Sequence, residues 1–249
     1  MKILITGIAG FIGSHTAEAL LKRGDRVVGV DNFNNYYDPS IKEDRIKRLK
    51  KSYKFSLHRE DISNYQAIDK IVKKEKPDKI CHLAAQAGVR YSLENPFIYL
   101  KSNIDGTLVM LETARHNNIK DFIYASSSSV YGGNKKVPFS ETDPVDTPIS
   151  LYAATKKANE LMAHTYHKLF GLNTTGLRFF TVYGPYGRPD MALFIFTKNI
   201  LEGKPIEIFN NGQMMRDFTY IDDIVSGIVA SLDKSYPCEI FNLGNSNTV

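Results

Sequence analysis

Met1-Lys-Ile-Leu-Ile-Thr-Gly7-Ile-Ala-Gly10-Phe-Ile-Gly13 opens the chain. An apolar strand pattern runs into three glycines at positions 7, 10 and 13, and a helical pattern follows. The first glycine permits a tight strand-to-helix turn, the second lets the backbone approach a pyrophosphate, and the third lets helix and strand pack closely. The helix amino terminus at Phe11 and Ile12 offers amide donors to phosphates. A glycine-bearing turn without any ligand has the same spacing.

Asp31 favours the ligand-binding alternative. It ends the second strand pattern, where a carboxylate can accept both ribose hydroxyls of adenosine and repel a 2′-phosphate. NAD is therefore expected over NADP. Asp61, before Ile62 at the end of the third strand, is placed for the adenine amino group, and an aspartate there also serves as a helix N-cap.

Outward from the turn, strands are expected at Lys2–Thr6, Arg26–Asp31, Lys54–His58, Lys79–Leu83, Phe122–Ala125 and Thr174–Arg178, with amphipathic helices between. Such alternation gives an α/β fold, a doubly wound parallel sheet of Rossmann type with the ligand at the carboxyl ends of the strands. Residues 1–178 read as a dinucleotide-binding domain and 179–249 as a smaller, partial substrate lobe. The lobe begins with a turn-rich loop, Val182 to Asp190, and continues in a helix at Ala192–Glu202. The apolar stretch Glu239–Leu243 can return to the main sheet. Because no closing helix follows it, a further segment is expected to complete the lobe.

The length of 249 residues and 43% hydrophobic content suit one large domain or a domain with a lobe, and argue against disorder. The net charge of +5 is local: Ile41 to Glu60 holds eight Lys/Arg against three Asp/Glu, 8 − 3 = +5. A basic run at Lys42–Lys51 without repeating aromatic platforms reads as a solvated helix face, which excludes nucleic acid as the expected partner. Cys81 and Cys238 make neither a disulfide framework nor a metal knuckle, so a reducing cytoplasm and no metal are expected. The first strand starts at once and no apolar run approaches spanning length, so a soluble protein with no membrane partner is expected.

The chemistry resides in Tyr152-Ala-Ala-Thr-Lys156 and Ala125-Ser-Ser-Ser-Ser-Val-Tyr131. Positions four apart share a helix face, so an ammonium lies beside a phenol of ordinary pKa about 10. The cation should favour phenolate and make Tyr152 a base nearer working pH. An aromatic ring packed on a lysine stem has the same spacing, and the serines also read as plain loop residues. Their place directly after a strand aims them into the crevice instead.

Together these segments resemble the extended short-chain dehydrogenase/reductase family of nucleotide-sugar-modifying enzymes. The resemblance implies Ser127, Tyr152 and Lys156 as catalytic residues. It implies cofactor contacts at Gly7, Gly10, Phe11, Ile12, Gly13, Asp31, Asn32, Asn35, Asp61 and Ile62. Further along, Leu83, Ala84, Ala85, Asn103, Tyr152, Lys156 and Phe180 match its remaining cofactor positions. Members pair as homodimers through two helices, which here run near Pro96–His116 and Tyr152–Phe170.

Within the family, dehydratases and decarboxylases carry an acid just after the catalytic hydroxyl, where this chain has Ser128 and Ser129. Removing a C5 proton requires a base that a neutral hydroxyl cannot supply. Inversion at C4 through a transient 4-keto sugar is therefore expected, with a UDP-sugar as substrate. His82 to Arg90 and Arg178 to Ala192 are similar to segments of the UDP-glucuronate 4-epimerase branch. Gln86, Arg90, Ser127, Ser128, Ser129, Thr181, Arg188 and Arg216 are the expected substrate residues. The hydroxyls suit a C6 carboxylate and Arg188 and Arg216 suit a diphosphate, with surface salt-bridging the alternative for either arginine. A UDP-N-acetylhexosamine 4-epimerase and a non-catalytic NAD-binding protein remain as alternatives.

Overall fold

Strand β1 (Lys2–Thr6) is buried on both faces, and its alternation sets the layers of the molecule. Ile3 and Ile5 point to one side and Leu4 to the other, as a period of two requires. The computed structural model describes residues 1–249, the side chain of Phe209 apart. After β1 come α1 (Phe11–Arg23), β2 (Arg26–Asp31), α2 (Pro39–Leu49), β3 (Phe55–Arg59), α3 (Tyr65–Glu75) and β4 (Lys79–His82). Two short helices, α4 (Tyr91–Glu94) and α5 (Pro96–Tyr99), lead through a π-helical turn at Leu100–Asp105 into α6 (Gly106–His116). Then follow β5 (Asp121–Ser127), α7 (Leu151–Phe170), β6 (Asn173–Phe179), β7 (Thr181–Tyr183), α8 (Ala192–Leu201), β8 (Phe218–Tyr220), α9 (Ile221–Asp233) and β9 (Cys238–Leu243).

Seven strands form one parallel sheet in the order β3-β2-β1-β4-β5-β6-β9. One face packs on α1, α2 and α9 through Leu20, Ile46 and Ile228, and the other on α3, α6 and α7 through Ile68, Met110 and Ala163. Each fully buried aliphatic side chain in these layers contributes about 1.5–3 kcal/mol. The expected strands lie within one or two residues of the observed ones, and β9 is the seventh strand beside β6. Strands β7 and β8 make a separate parallel pair.

The sheet winds in opposite directions from β1 and β4, so a crevice opens where their carboxyl ends diverge. Gly7 follows β1 there, Leu83 follows β4, and Ser127 ends β5. Helix α7 starts at the N-cap Ser150, whose side chain accepts from the Ala153 amide at 3.1 Å, and stops at left-handed Gly171. These caps set the rotation that turns Tyr152 and Lys156 toward the crevice.

Helix α2 departs from the expected solvated face. Lys42 and Arg45 are buried, Arg45 completely, because backbone carbonyls from other segments surround them. The helix expected over Pro96–His116 is one run with a π turn at its middle.

Candidate active site

A cleft of about 260 Å³ lies at the divergence of β1 and β4. Its floor is the glycine turn. Gly7 has φ +70°, and a Cβ there would sit 2.8 Å from the Ala84 backbone. A Cβ on Gly13 would collide with the Gly7 carbonyl. Helix α1 begins at Gly10 with no side-chain cap and no acid in its first turn, so its leading amides are open to an anion. Asp31 stands at the end of β2 with its carboxylate accepting from Ala9 N at 3.0 Å and Phe33 N at 2.8 Å. A cradle closed to side chains, an uncapped helix terminus and a buried carboxylate fit the pyrophosphate and ribose of a dinucleotide.

Tyr152 and Lys156 both line the cleft with Ser127. The Lys156 ammonium donates to the Ala125 carbonyl at 2.8 Å and lies 6.0 Å from the centre of the Tyr152 ring. Burial lowers its pKa to about 8, opposed by the charge of Glu160 one turn further along α7. Tyr152 departs from expectation: burial raises its pKa, while a hydrogen bond with Ser127 and the charge of Arg188 act in the opposite direction. Desolvation of the phenolate outweighs both in this environment. Ser127 accepts from Ser129 N at 3.2 Å and donates to the Ser129 hydroxyl at 3.0 Å, so the run forms a short 3-10 turn over Ser128–Tyr131.

The wall opposite is held by a polar chain in the core. Thr6 Oγ1 accepts from Ala84 N at 3.1 Å and meets His82 Nδ1 at 2.8 Å, while His82 Nε2 meets Thr107 Oγ1 at 3.1 Å. Burial drives the His82 pKa down to about 3, with the Lys156 charge adding to it, so the ring is neutral. With Thr6 donating to Nδ1, the network assigns the proton to Nε2. Asn103, fully buried in the π turn, accepts from Gln86 N at 2.8 Å and donates to Gln86 O at 3.1 Å and Thr155 Oγ1 at 3.0 Å. It fixes the peptide of Gln86 from behind the wall.

Of the residues expected from sequence, Gly7, Gly10, Phe11, Ile12, Gly13, Asp31, Asn32, Ile62, Leu83, Ala84, Ala85, Gln86, Phe180 and Arg188 also line the cleft. Asp61 accepts from Asn32 Nδ2 at 3.1 Å at its edge, and the N-cap of α3 is Asn64. Ser128, Ser129 and Thr181 are half-buried and do not line the cleft. Asn35, Arg90 and Arg216 are exposed, and Arg216 instead pairs its backbone with Val249. Sequence reasoning missed Asn34, Tyr36, Tyr37, Lys42 and Met191 in the lining. The one signal for them was an aromatic pair inside the polar loop after Asp31. It also missed Asp190, which accepts from Arg188 Nε at 3.0 Å and from Tyr36 OH at 3.0 Å and so holds the Arg188 guanidinium over the cleft.

A doubly wound sheet, a dinucleotide cradle and a Ser/Tyr/Lys set from the end of β5 and the start of α7 define a site of short-chain dehydrogenase/reductase type. The chain belongs to the NAD dependent epimerase/dehydratase family, whose model matches residues 3–244. It is 53% identical over 266 residues to UDP-glucuronate 4-epimerase 4 of Arabidopsis thaliana, covering 100% of this chain and 61% of that protein. It is 54% identical over 267 residues to Protein CapI of Staphylococcus aureus, covering 100% of this chain and 80% of that one. The crystal structure of a UDP-glucuronic acid 4-epimerase from Bacillus cereus, in complex with UDP-glucuronic acid and NAD, superposes with a TM-score of 0.93 at 42% identity. That likeness covers 100% of this chain and 79% of the Bacillus chain.

Proposed function

We propose that the protein inverts C4 of a UDP-hexuronate, interconverting UDP-glucuronate and UDP-galacturonate with NAD as resident cofactor. The observation that carries this reading is the convergence of Ser127, Tyr152 and Lys156 beside the glycine cradle, with hydroxyls at 128 and 129. Gly7 to Gly13 would hold the pyrophosphate, Asp31 the adenosine ribose, Asp61 and Ile62 the adenine, and Lys156 the second ribose. When bound, NAD supplies the hydride acceptor and donor at C4.

Proton handling belongs to the protein. Ser127 orients the 4-hydroxyl and Tyr152 accepts its proton, then returns it to the opposite configuration. Burial raises the Tyr152 pKa, so the resting group is the phenol and must first release its own proton to solvent before it can take the one from the 4-hydroxyl. The charge of Arg188 favours that phenolate, and Lys156 beside the ring would add to it. Ser128, Ser129 and Thr181 hold the C6 carboxylate near the plane of the transient C4 carbonyl. In that orientation loss of carbon dioxide gains no enolate stabilisation.

Residues 1–178 serve as the cofactor domain and 179–249 contribute to the substrate lobe. Exposed apolar side chains on α6 and α7, Leu108, Leu161, Leu169 and Phe170, support a homodimer through these helices. Among the described residues no helix is long and apolar enough to cross a membrane and no acid, His or Cys cluster is arranged for a metal. A cytoplasmic place agrees with the two free cysteines.

The test is incubation of purified protein with UDP-glucuronate, with products resolved by chromatography and proton NMR. Appearance of UDP-galacturonate supports the reading. Turnover of a UDP-N-acetylhexosamine in preference to the uronate overturns the substrate assignment, and no turnover of either by NAD-loaded protein overturns the enzymatic one.

A further inference from the structure

Arg45 has no exposed surface, and all its hydrogen-bond partners are carbonyls and one phenol. Its Nη1 donates to Ala9 O at 3.0 Å and Tyr37 OH at 2.7 Å. Its Nε and Nη2 donate to Tyr186 O at 3.1 and 2.7 Å, and Nη2 also reaches Gly187 O at 3.0 Å. A buried guanidinium normally needs a carboxylate in contact, and none among the described residues accepts from Arg45; Asp31 lies across the turn, where burial raises its pKa and the charges of Lys42 and Arg45 act against that rise.

The two ends of this fork belong to different parts of the cleft. Ala9 lies inside the glycine turn, and its peptide is held on both sides, N–H to Asp31 and C=O to Arg45. Tyr186 and Gly187 lie in the loop that carries Arg188 and Asp190. That loop is conformationally costly at Tyr186, a non-glycine residue with φ +57°. Rotation of Tyr186 out of the left-handed region would swing its carbonyl away from Nε and Nη2. The guanidinium therefore holds the loop in a strained shape while gripping the cofactor turn.

We propose that Arg45 is a positioning residue that couples the two ligand sites, so that occupation of the glycine turn orders the Gly184–Met191 loop for the nucleotide-sugar diphosphate. The proposal rests on the reading that a dinucleotide sits at the turn and a UDP group at the loop. The coupling is reciprocal, as binding linkage requires. Lysine cannot replace the fork, because one ammonium cannot reach Ala9 O and the loop carbonyls from both sides.

The experiment is calorimetric titration of UDP into parent, Arg45→Lys and Arg45→Met proteins, each with and without saturating NAD, alongside hydrogen exchange at the amides of residues 184–188. In the parent, NAD should tighten UDP binding about 5-fold or more, the lower range of typical coupling, and slow exchange in the loop. In both variants each ligand should still bind alone, while the tightening falls below about 2-fold and NAD no longer slows loop exchange. Arg45→Lys keeps the buried charge, so it carries the test if Arg45→Met does not fold. Parent-like coupling in the lysine variant, or no coupling in a parent that binds both ligands, overturns the proposal. A parent that binds neither ligand overturns the functional reading beneath it.

Discussion

Replacing Glu160 by Gln should unfold the protein far more easily and also disturb the active site. Glu160 and Arg178 meet in a bidentate pair, Nε to Oε1 and Nη2 to Oε2 both at 2.9 Å, with side chains only 3% and 2% exposed. Ser126 also donates to Oε1 at 2.6 Å. The amide is nearly isosteric, so packing is retained while a buried guanidinium loses its counter-charge. Breaking such a pair costs about 3–5 kcal/mol, whereas an exposed pair contributes about 0–1. That is roughly a 10²- to 10⁴-fold change in the unfolding constant and a large share of the ~5–15 kcal/mol that holds a typical domain.

The chain has no tryptophan, so far-UV circular dichroism in urea is the assay. With an m-value of about 3 kcal/mol per M, the midpoint should fall by about 1–2 M. Replacing both partners by methionine should recover most of the loss, because no unpaired charge remains. The Glu160 charge also raises the Lys156 pKa against its burial, so in Glu160→Gln the lysine becomes neutral at lower pH than its present value of about 8. The alkaline limb of the activity profile should move toward acid. A midpoint within about 0.3 M of the parent would refute the argument that the pair is uncompensated when broken.

Tyr152→Phe keeps the ring and its edge contact with Tyr99, and should retain NAD while turnover falls roughly 10²- to 10⁴-fold, read by product NMR. Asp31→Ala should lower the NAD over NADP affinity ratio by about tenfold or more, as expected for a lost charge-assisted pair; an unchanged ratio in calorimetry removes Asp31 from the ribose. Lys156→Met should abolish turnover yet stabilise the fold at pH 7, because the fall from 10.5 to about 8 represents about 3 kcal/mol of strain on the charged form. That penalty is full below pH 8 and fades as the pH rises to 10.5, so the gain in urea midpoint should shrink over that window. Thr181→Ala should divert product to UDP-4-keto-pentose, detected by mass; epimerisation without decarboxylation would show that Thr181 does not restrain the carboxylate.

Parallel strands buried on both faces read as continuous apolar runs, which is why β1, β2 and β4 were visible in the chain with nearly their observed bounds. The glycine turn was equally legible, because each glycine answers a steric demand that no other residue meets. Lys42 and Arg45 were not. Their burial depends on Asn34, Ala9, Tyr186 and Gly187, and the last two lie 141 and 142 residues further along. Nothing within the basic run of α2 marks which two of its cations turn inward. Asn103 escaped a structural role for a related reason, since a π turn shifts its side chain off the helical register that spacing assumes.

Charge spacing predicts the direction of an electrostatic effect, but burial decides its sign when the two compete. Tyr152 illustrates this: loss of water pushes the phenol away from ionisation, and the hydrogen bond with Ser127 and the charge of Arg188 push it back by less. The same desolvation weakens the ammonium that was to assist it. In the return half of the reaction, as C4 is reduced and negative charge develops on its oxygen, the phenol can give up its proton there and the ammonium can stabilise the charge in a medium that screens little. The buried Glu160–Arg178 pair behind them then has a role besides holding β6 to α7: it keeps a negative charge where Lys156 needs one.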